Sequence, residues 1–218
     1  MSDSDDEPTL SVETFKALQE FYAEQEEKEN RLNEIAAEKG NCDSAAFFDE
    51  DWQLSQFWYD EHTIEALSSE VVRAAGCEGK IALISCPSLF TSVKNKGPNC
   101  EDLTVALFEY DRRFTIYGSS FYPYDYKSPL DIPRHFSGYF DLVIADPPFL
   151  SEECLTKTAV TVKFLTKDKI IICTGAVMED LIRRLLDVRK SKFLPRHKNN
   201  LANEFLCYSN YEIDSFLK

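Results

Sequence analysis

Four stretches of the chain are apolar with almost no interruption: KIALISCP at 80–87, LTVALFEYD at 103–111, YFDLVIAD at 139–146 and KIIICTGA at 169–176. They lack the in–out alternation of a strand with one wet face, so they predict strands buried on both faces of a parallel sheet. Between them the apolar period lengthens. A helix is predicted over 61–75, ending at Gly76, and a shorter one at 88–96. SEECLTKTAVTVKFLT predicts a third, with Ser151 as its N-cap and Glu153 close behind, and VMEDLIRRLLDV a fourth. FTIYGSSFYPYDYKSP carries short extended segments, and SKFLPRH and NEFLCYSNYEI read as two strands joined by KNNLA. Strand–helix alternation of this kind argues for an α/β protein of Rossmann-like type: a mostly parallel sheet, helices on both faces, and a C-terminal antiparallel hairpin.

Ahead of this pattern, residues 12–38 form a helical stretch whose first half carries an apolar stripe (Phe15, Leu18, Phe21, Tyr22). Gly40-Asn41 ends it, and 41–50 has the composition of a linker. The expected organisation is an acidic helical head over 1–50, partly disordered or loosely docked, and one α/β domain over 51–218.

Charge sharpens that division. Residues 1–50 hold 15 acids and 4 bases, whereas the remaining 168 residues hold 23 acids and 20 bases. The body is nearly neutral and lacks the strongly basic face of a nucleic-acid binder, so a nucleic-acid partner is not expected. One basic cluster (Arg183, Arg184, Arg189, Lys190, Lys192, Arg196, Lys198) is either a solvated surface or a contact for an acidic partner or RNA. No stretch approaches the length of a membrane span, and the acidic N-terminus is neither a signal nor a transit peptide. Seven scattered cysteines without a C-x-x-C pair predict reduced thiols in the cytosol or nucleus, and no metal site is expected.

Open α/β sheets bind ligands at the carboxyl ends of their strands. Here those ends carry Ser85-Cys86-Pro87, Glu109-Tyr110-Asp111 and Asp146-Pro147-Pro148-Phe149. The first turn, SCPSLF, has no glycine, and neither G-x-G-x-x-G nor G-x-x-x-x-G-K-[ST] occurs, which argues against a phosphate-bearing ligand. Glu109 lies 22 residues after Pro87, where an acid accepts from ribose hydroxyls; its other reading is an ordinary strand-end acid. S-adenosylmethionine has a ribose and no phosphate. The prolines after Asp146 cannot continue a sheet, so they form a rigid spur. There Asp146 and the Pro147 carbonyl can accept the N–H groups of an amine and aim its lone pair, with Phe149 as a stacking or cation-facing ring. The alternative is a capped strand-to-helix turn with no chemistry. Of the aromatic group Trp52, Phe57, Trp58 and Tyr59, Phe57 and Trp58 are candidates to cap the cofactor or line a substrate channel, and Trp52 to plug the base of the first helix. Asp125 is a candidate partner of the adenine ring, and Asn203 and Glu204 of the substrate mouth.

FDLVIADPPFL resembles the [DN]-P-P-[YFW] signature of class I amino-methyltransferases. The longer matches are more specific. DWQLSQFWY (51–59), FEYDRRF (108–114), YDYKSPLDIP (124–133), DPPFLSEECLTKT (146–158), CTGAVMED (173–180) and FLPRHKNNLANEFLCYSNY (193–211) together are similar to the eukaryotic elongation factor 1A lysine methyltransferase family. The resemblance covers roughly residues 50–212. It implies a class I methyltransferase fold and S-adenosylmethionine-dependent methylation of a lysine of elongation factor 1A, by a cytoplasmic monomer. It also implies catalytic roles for Asp146, Pro147, Pro148 and Phe149, and cofactor contacts from Phe57, Trp58, Ser85, Pro87, Glu109, Asp125 and Asp146. The glycine-free first turn departs from the usual methyltransferase pattern.

Chemistry separates lysine from adenine only in part. A free lysine has a pKa of about 10.4, so presenting it neutral near pH 7 costs about 4–5 kcal/mol at about 1.36 kcal/mol per unit. A carboxylate attracts the ammonium and desolvation favours the free amine. An adenine amine is already neutral and an amide would hold it equally well, so Asp146 leans toward lysine. N6-adenine methylation of DNA or RNA is the alternative activity, and an inactive cofactor-binding module the alternative of another class.

Overall fold

In the computed structural model, which describes Lys16 and residues 50–96, 102–199 and 203–217, the four apolar runs become adjacent strands of one sheet. They are β1 (Lys80–Ile84), β2 (Thr104–Glu109), β4 (Phe140–Ala145) and β5 (Thr166–Gly175); β3 (Phe121–Pro123), β6 (Arg189–Lys190) and β7 (Phe205–Ser209) complete it. The order is β3-β2-β1-β4-β5-β7-β6. The first five strands are parallel, and β7 runs antiparallel to both β5 and β6. From β1 the chain winds outward through β2 to β3, then returns to start β4 on the other side of β1. The crevice at the carboxyl ends of β1 and β4 is therefore the topological switch point, where doubly wound sheets bind ligands.

The helices form where the sequence caps them. Asp60 accepts the Thr63 N–H at 2.7 Å and starts α1 (Glu61–Ala75), which ends at Gly76 with φ 79°. A 3₁₀ turn, Pro87–Leu89, leads into α2 (Phe90–Asn95). Ser151 accepts the Cys154 N–H at 3.2 Å and starts α3 (Glu152–Leu165), as the sequence predicts; α4 is Glu179–Leu185. Alternate strand residues face opposite layers. Ala82, Ile84, Phe108, Val143 and Ile172 pack with Leu155, Ala159, Val162 and Ile182 of α3 and α4, while α1 and α2 pack together on the opposite face. No helix among the described residues is long and apolar enough to cross a membrane.

Three local expectations are corrected. Residues 112–120 form 3₁₀ structure, broken at Gly118 (φ 58°), and only 121–123 is extended. The first arm of the antiparallel pair is the two-residue β6, not 191–197. That later segment leaves the sheet to pair with the approach to α1: Asp60 N–H donates to the Arg196 carbonyl at 2.9 Å and Lys198 N–H to the Trp58 carbonyl at 2.8 Å. Cys86, Cys154, Cys173 and Cys207 are buried free thiols, but Cys77 is disulfide-bonded. The chain divides into two compact units, Met1–Cys42 and Asp43–Lys218; the head helix expected at 12–38 lies outside the described residues, save that Lys16 is helical.

Candidate active site

A cavity of about 530 Å³ opens at the carboxyl ends of β1, β2 and β4. Phe57, Trp58, Ser85, Pro87, Glu109, Asp125, Asp146, Pro147, Pro148 and Phe149 all line it, as does Asn203. Glu204 is exposed outside it. Trp52 is 69% exposed, so it is not the plug of the first helix, whereas Trp58 packs edge-on against Phe114 and Tyr59 against His197, both buried.

Two turns build the floor. Ile84 pairs with Ala145, so Ser85 and Asp146 leave adjacent parallel strands side by side. The Asp146 N–H donates to the Ile84 carbonyl at 3.0 Å and the Ser85 N–H to the Phe108 carbonyl at 2.9 Å, which ties β1, β2 and β4 together at their ends. Ser85 takes φ 53°, the left-handed conformation that glycine occupies at little cost. Thus β1 stops at Ile84, short of the apolar run. Past Asp146 the two prolines fix the path with φ near −65°. Leu150 then packs on Gly175, where a Cβ would lie 2.8 Å from a Leu150 methyl carbon. Phe149, 41% exposed, meets the Tyr126 ring edge-on at 5.8 Å.

Two carboxylates face this space under-compensated. Glu109, 6% exposed, accepts from the N–H groups of Tyr110 (2.9 Å) and Asp111 (3.1 Å). Burial still pushes its pKa up to about 7, with the Asp111 charge adding to the rise and those two N–H groups opposing it. Asp146 is partly exposed, into the cavity, but the protein around it desolvates its carboxyl and pushes it to about 7 as well. The Tyr59 hydroxyl opposes that rise and the Glu109 charge reinforces it. Nearby, the buried Trp58 indole N–H has no hydrogen-bond partner. The site therefore offers two acceptors seeking donors and one donor seeking an acceptor.

The roof is the segment from Asp51 to Asp60, and the sequence reading missed how it is held. The buried Gln56 amide donates to Asp111 Oδ2 at 2.8 Å and accepts from Arg113 Nη2 at 2.9 Å, while Arg113 pairs with Asp111 at 2.7 Å. Glu50 accepts from the Trp58 N–H at 2.8 Å and from Asn199 Nδ2 at 2.6 Å. Gln56, Tyr124, Tyr126 and His197 also line the cavity. The available signal was a glutamine set inside an aromatic run, a position that demands hydrogen-bond partners.

Residues 50–213 match the family model described as "Probable N6-adenine methyltransferase". The chain is 50% identical over 210 residues to "EEF1A lysine methyltransferase 1" of Gallus gallus, covering 96% of each chain. It is 47% identical to the Homo sapiens protein of that name, covering 97% of each, and 37% identical to "Protein-lysine N-methyltransferase EFM5" of Saccharomyces cerevisiae, covering 95% of this chain and 94% of that one. Among solved structures, the branched-chain polyamine synthase from Thermus thermophilus, in complex with N4-aminopropylspermidine and 5'-methylthioadenosine, superposes with a TM-score of 0.56 at 11% identity. That match covers 84% of this chain and 62% of the synthase, a likeness of fold alone.

Proposed function

The chain belongs to the EEF1A lysine methyltransferase 1 family, and from that premise we propose that it transfers methyl groups from S-adenosylmethionine to a lysine of translation elongation factor 1A. The observation that carries the reading is the Asp146-Pro147-Pro148-Phe149 spur, set at the switch point beside Ser85 with a carboxylate short of donors.

The residues present fit that cofactor. Glu109 accepts from the ribose hydroxyls, and this pairing supplies the donors its burial withholds. The orphaned Trp58 indole N–H is a donor for the cofactor's carboxylate. Phe57, Ser85 and Pro87 complete the walls around it, and Asp125, after β3, meets the adenine. When bound, the cofactor supplies an electrophilic methyl group on a sulfonium.

The chain's own residues prepare the nucleophile. Asp146, ionised, draws the lysine ammonium into the cavity. Enclosure between the roof and the spur removes water and favours the neutral amine, so a proton leaves to solvent or transiently to Asp146. Asp146 and the Pro147 carbonyl then hold the remaining N–H groups and aim the lone pair. Pro148 keeps that carbonyl from turning away, and Phe149 lines the alkyl chain. The enzyme acts as a monomer in the cytoplasm, and its substrate surface is protein rather than nucleic acid.

Radiolabelled S-adenosylmethionine incubated with the chain and purified elongation factor 1A tests this. Label is expected in that protein, and a single lysine-to-arginine change in it should erase the label, since arginine stays protonated and offers no lone pair. Label in a lysate that resists protease but disappears with nuclease would replace this reading with adenine methylation.

A further inference from the structure

Tyr59 is the penultimate residue of the roof segment and is 1% exposed. Its backbone bridges to His197 and its ring lies against the His197 ring, with centroids 5.1 Å apart. Asp60 N–H to Arg196 and Lys198 N–H to Trp58 close the bridge on both sides. The side chain is therefore clamped and its hydroxyl cannot swing out to water. That hydroxyl is buried beside Asp146 and Cys173, close enough to weigh on the Asp146 charge but short of hydrogen-bond geometry with it in the unliganded chain. A buried hydroxyl left unpaired is destabilising, and phenylalanine would fill the same space without the penalty. An orphan hydroxyl beside the candidate catalytic carboxylate calls for a role in which the bond forms.

We propose that Tyr59 is a positioning residue for methyl transfer: when the substrate ammonium enters, its hydroxyl donates to Asp146, keeping that carboxylate charged and turned toward the amine. The proposal rests on Asp146 being the group that receives the amine. It gives the roof a function besides enclosure, because the clamp that closes the cavity also delivers the donor. It also answers a difficulty of the site. Asp146 must be ionised to draw in a cation, but its surroundings work against ionisation. Glu109 faces it from β2 with like charge, Cys86 and Cys173 face it from the ends of β1 and β5 as neutral thiols, and His197 touches only Tyr59 among these groups. Of these neighbours, Tyr59 is the one that opposes the upward shift at Asp146.

A donor to the charged form lowers a carboxyl's pKa, so removing it raises that pKa. In Tyr59→Phe the acid limb of kcat, which reports the enzyme–substrate complex, should move to higher pH by about one unit. Turnover at pH 7 should fall about fivefold and recover toward wild type near pH 9. Cofactor Kd should stay within about twofold, because the roof remains clamped. The lysine's own ionisation is common to both enzymes and drops out of the comparison. Adding Asp146→Asn should make the two changes non-additive, with the double variant no slower than Asp146→Asn alone. A Tyr59→Phe profile that superposes on wild type, or a double variant slower by the product of the two effects, would overturn the proposal. If Asp146→Asn alone kept wild-type turnover, the assignment of Asp146 would fall first, and Tyr59 with it.

Discussion

The turns after β1 and β4 stand next to each other at the mouth of the same cavity, yet they are held in opposite ways. The β4 turn is stiff by covalent structure: Pro147 and Pro148 have one soft backbone angle each, so Asp146 is aimed before any ligand arrives. The β1 turn is stiff by tertiary contact. Ser85 occupies φ 53°, which a serine does not choose alone, and the bond from its N–H to Phe108 keeps it there. In the function proposed above, the stiff spur presents the charge that handles the amine, whereas the strained turn lets the backbone pass close to the cofactor without a glycine. Catalytic aim and cofactor fit thus depend on different physics within one crevice.

The largest effect should come from the charge on the spur. Asp146→Asn keeps a hydrogen-bond acceptor but loses the attraction for an ammonium. Turnover on a lysine substrate should fall about 10²-fold or more, with cofactor affinity within about threefold in calorimetry. An adenine substrate would tolerate the amide, so retained activity there would break the lysine assignment.

Next comes Glu109. Glu109→Gln should weaken S-adenosylmethionine binding about tenfold, roughly 1.4 kcal/mol, and leave turnover at saturating cofactor close to wild type. It should also change the pH dependence of stability. Both Glu109 and Asp146 have folded pKa values near 7, above the ordinary carboxyl range, so the folded state binds more protons than the unfolded between about pH 4 and 7. Stability of the unliganded protein therefore falls as pH rises through that window. Asp60, Asp141 and Asp214, whose pKa values are lowered, are ionised in both states above pH 5 and add no slope there. The melting temperature should be higher at pH 5.5 than at pH 8, and Glu109→Gln should flatten the difference. A Tm that rises across this range would show that the two carboxyls are well compensated.

Freeing the spur should matter less. Pro148→Ala restores a backbone rotation and raises unfolded-state entropy, so stability should drop by about 0.4–1 kcal/mol. Turnover should fall several-fold with cofactor Kd unchanged; an equal loss in both would mean the prolines shape the cofactor wall instead. The smallest effect belongs to Ser85→Gly. It relieves about 1–2 kcal/mol of left-handed strain and loses about 0.5–1 kcal/mol to glycine's greater freedom when unfolded. The Tm should move by a few degrees at most, whereas Ser85→Val, β-branched at positive φ, should unfold the turn and abolish cofactor binding.

Much of this was legible in one dimension because its causes are local. Double-sided apolar runs this short and rich in β-branched residues read as buried strands, and their alternation with capped helices produces a doubly wound sheet; helix 61–75 and the Ser151 cap stand where the pattern puts them. The spur was legible because proline's constraint is written in the residue itself. What the sequence could not specify are contacts between distant residues: Gln56 on Asp111, Tyr59 on His197 and Asp146, Leu150 on Gly175, and 191–199 drawn from the sheet to the roof. A lone glutamine or histidine carries no periodicity to betray its neighbours. Nor does a carboxylate's identity reveal its pKa, since the shift at Asp146 arises from the surrounding protein and the charge on β2. Backbone preference and apolar period act over a few residues and so survive in the sequence alone, while burial, coupling and the strain at Ser85 exist only once the sheet has brought its strand ends together.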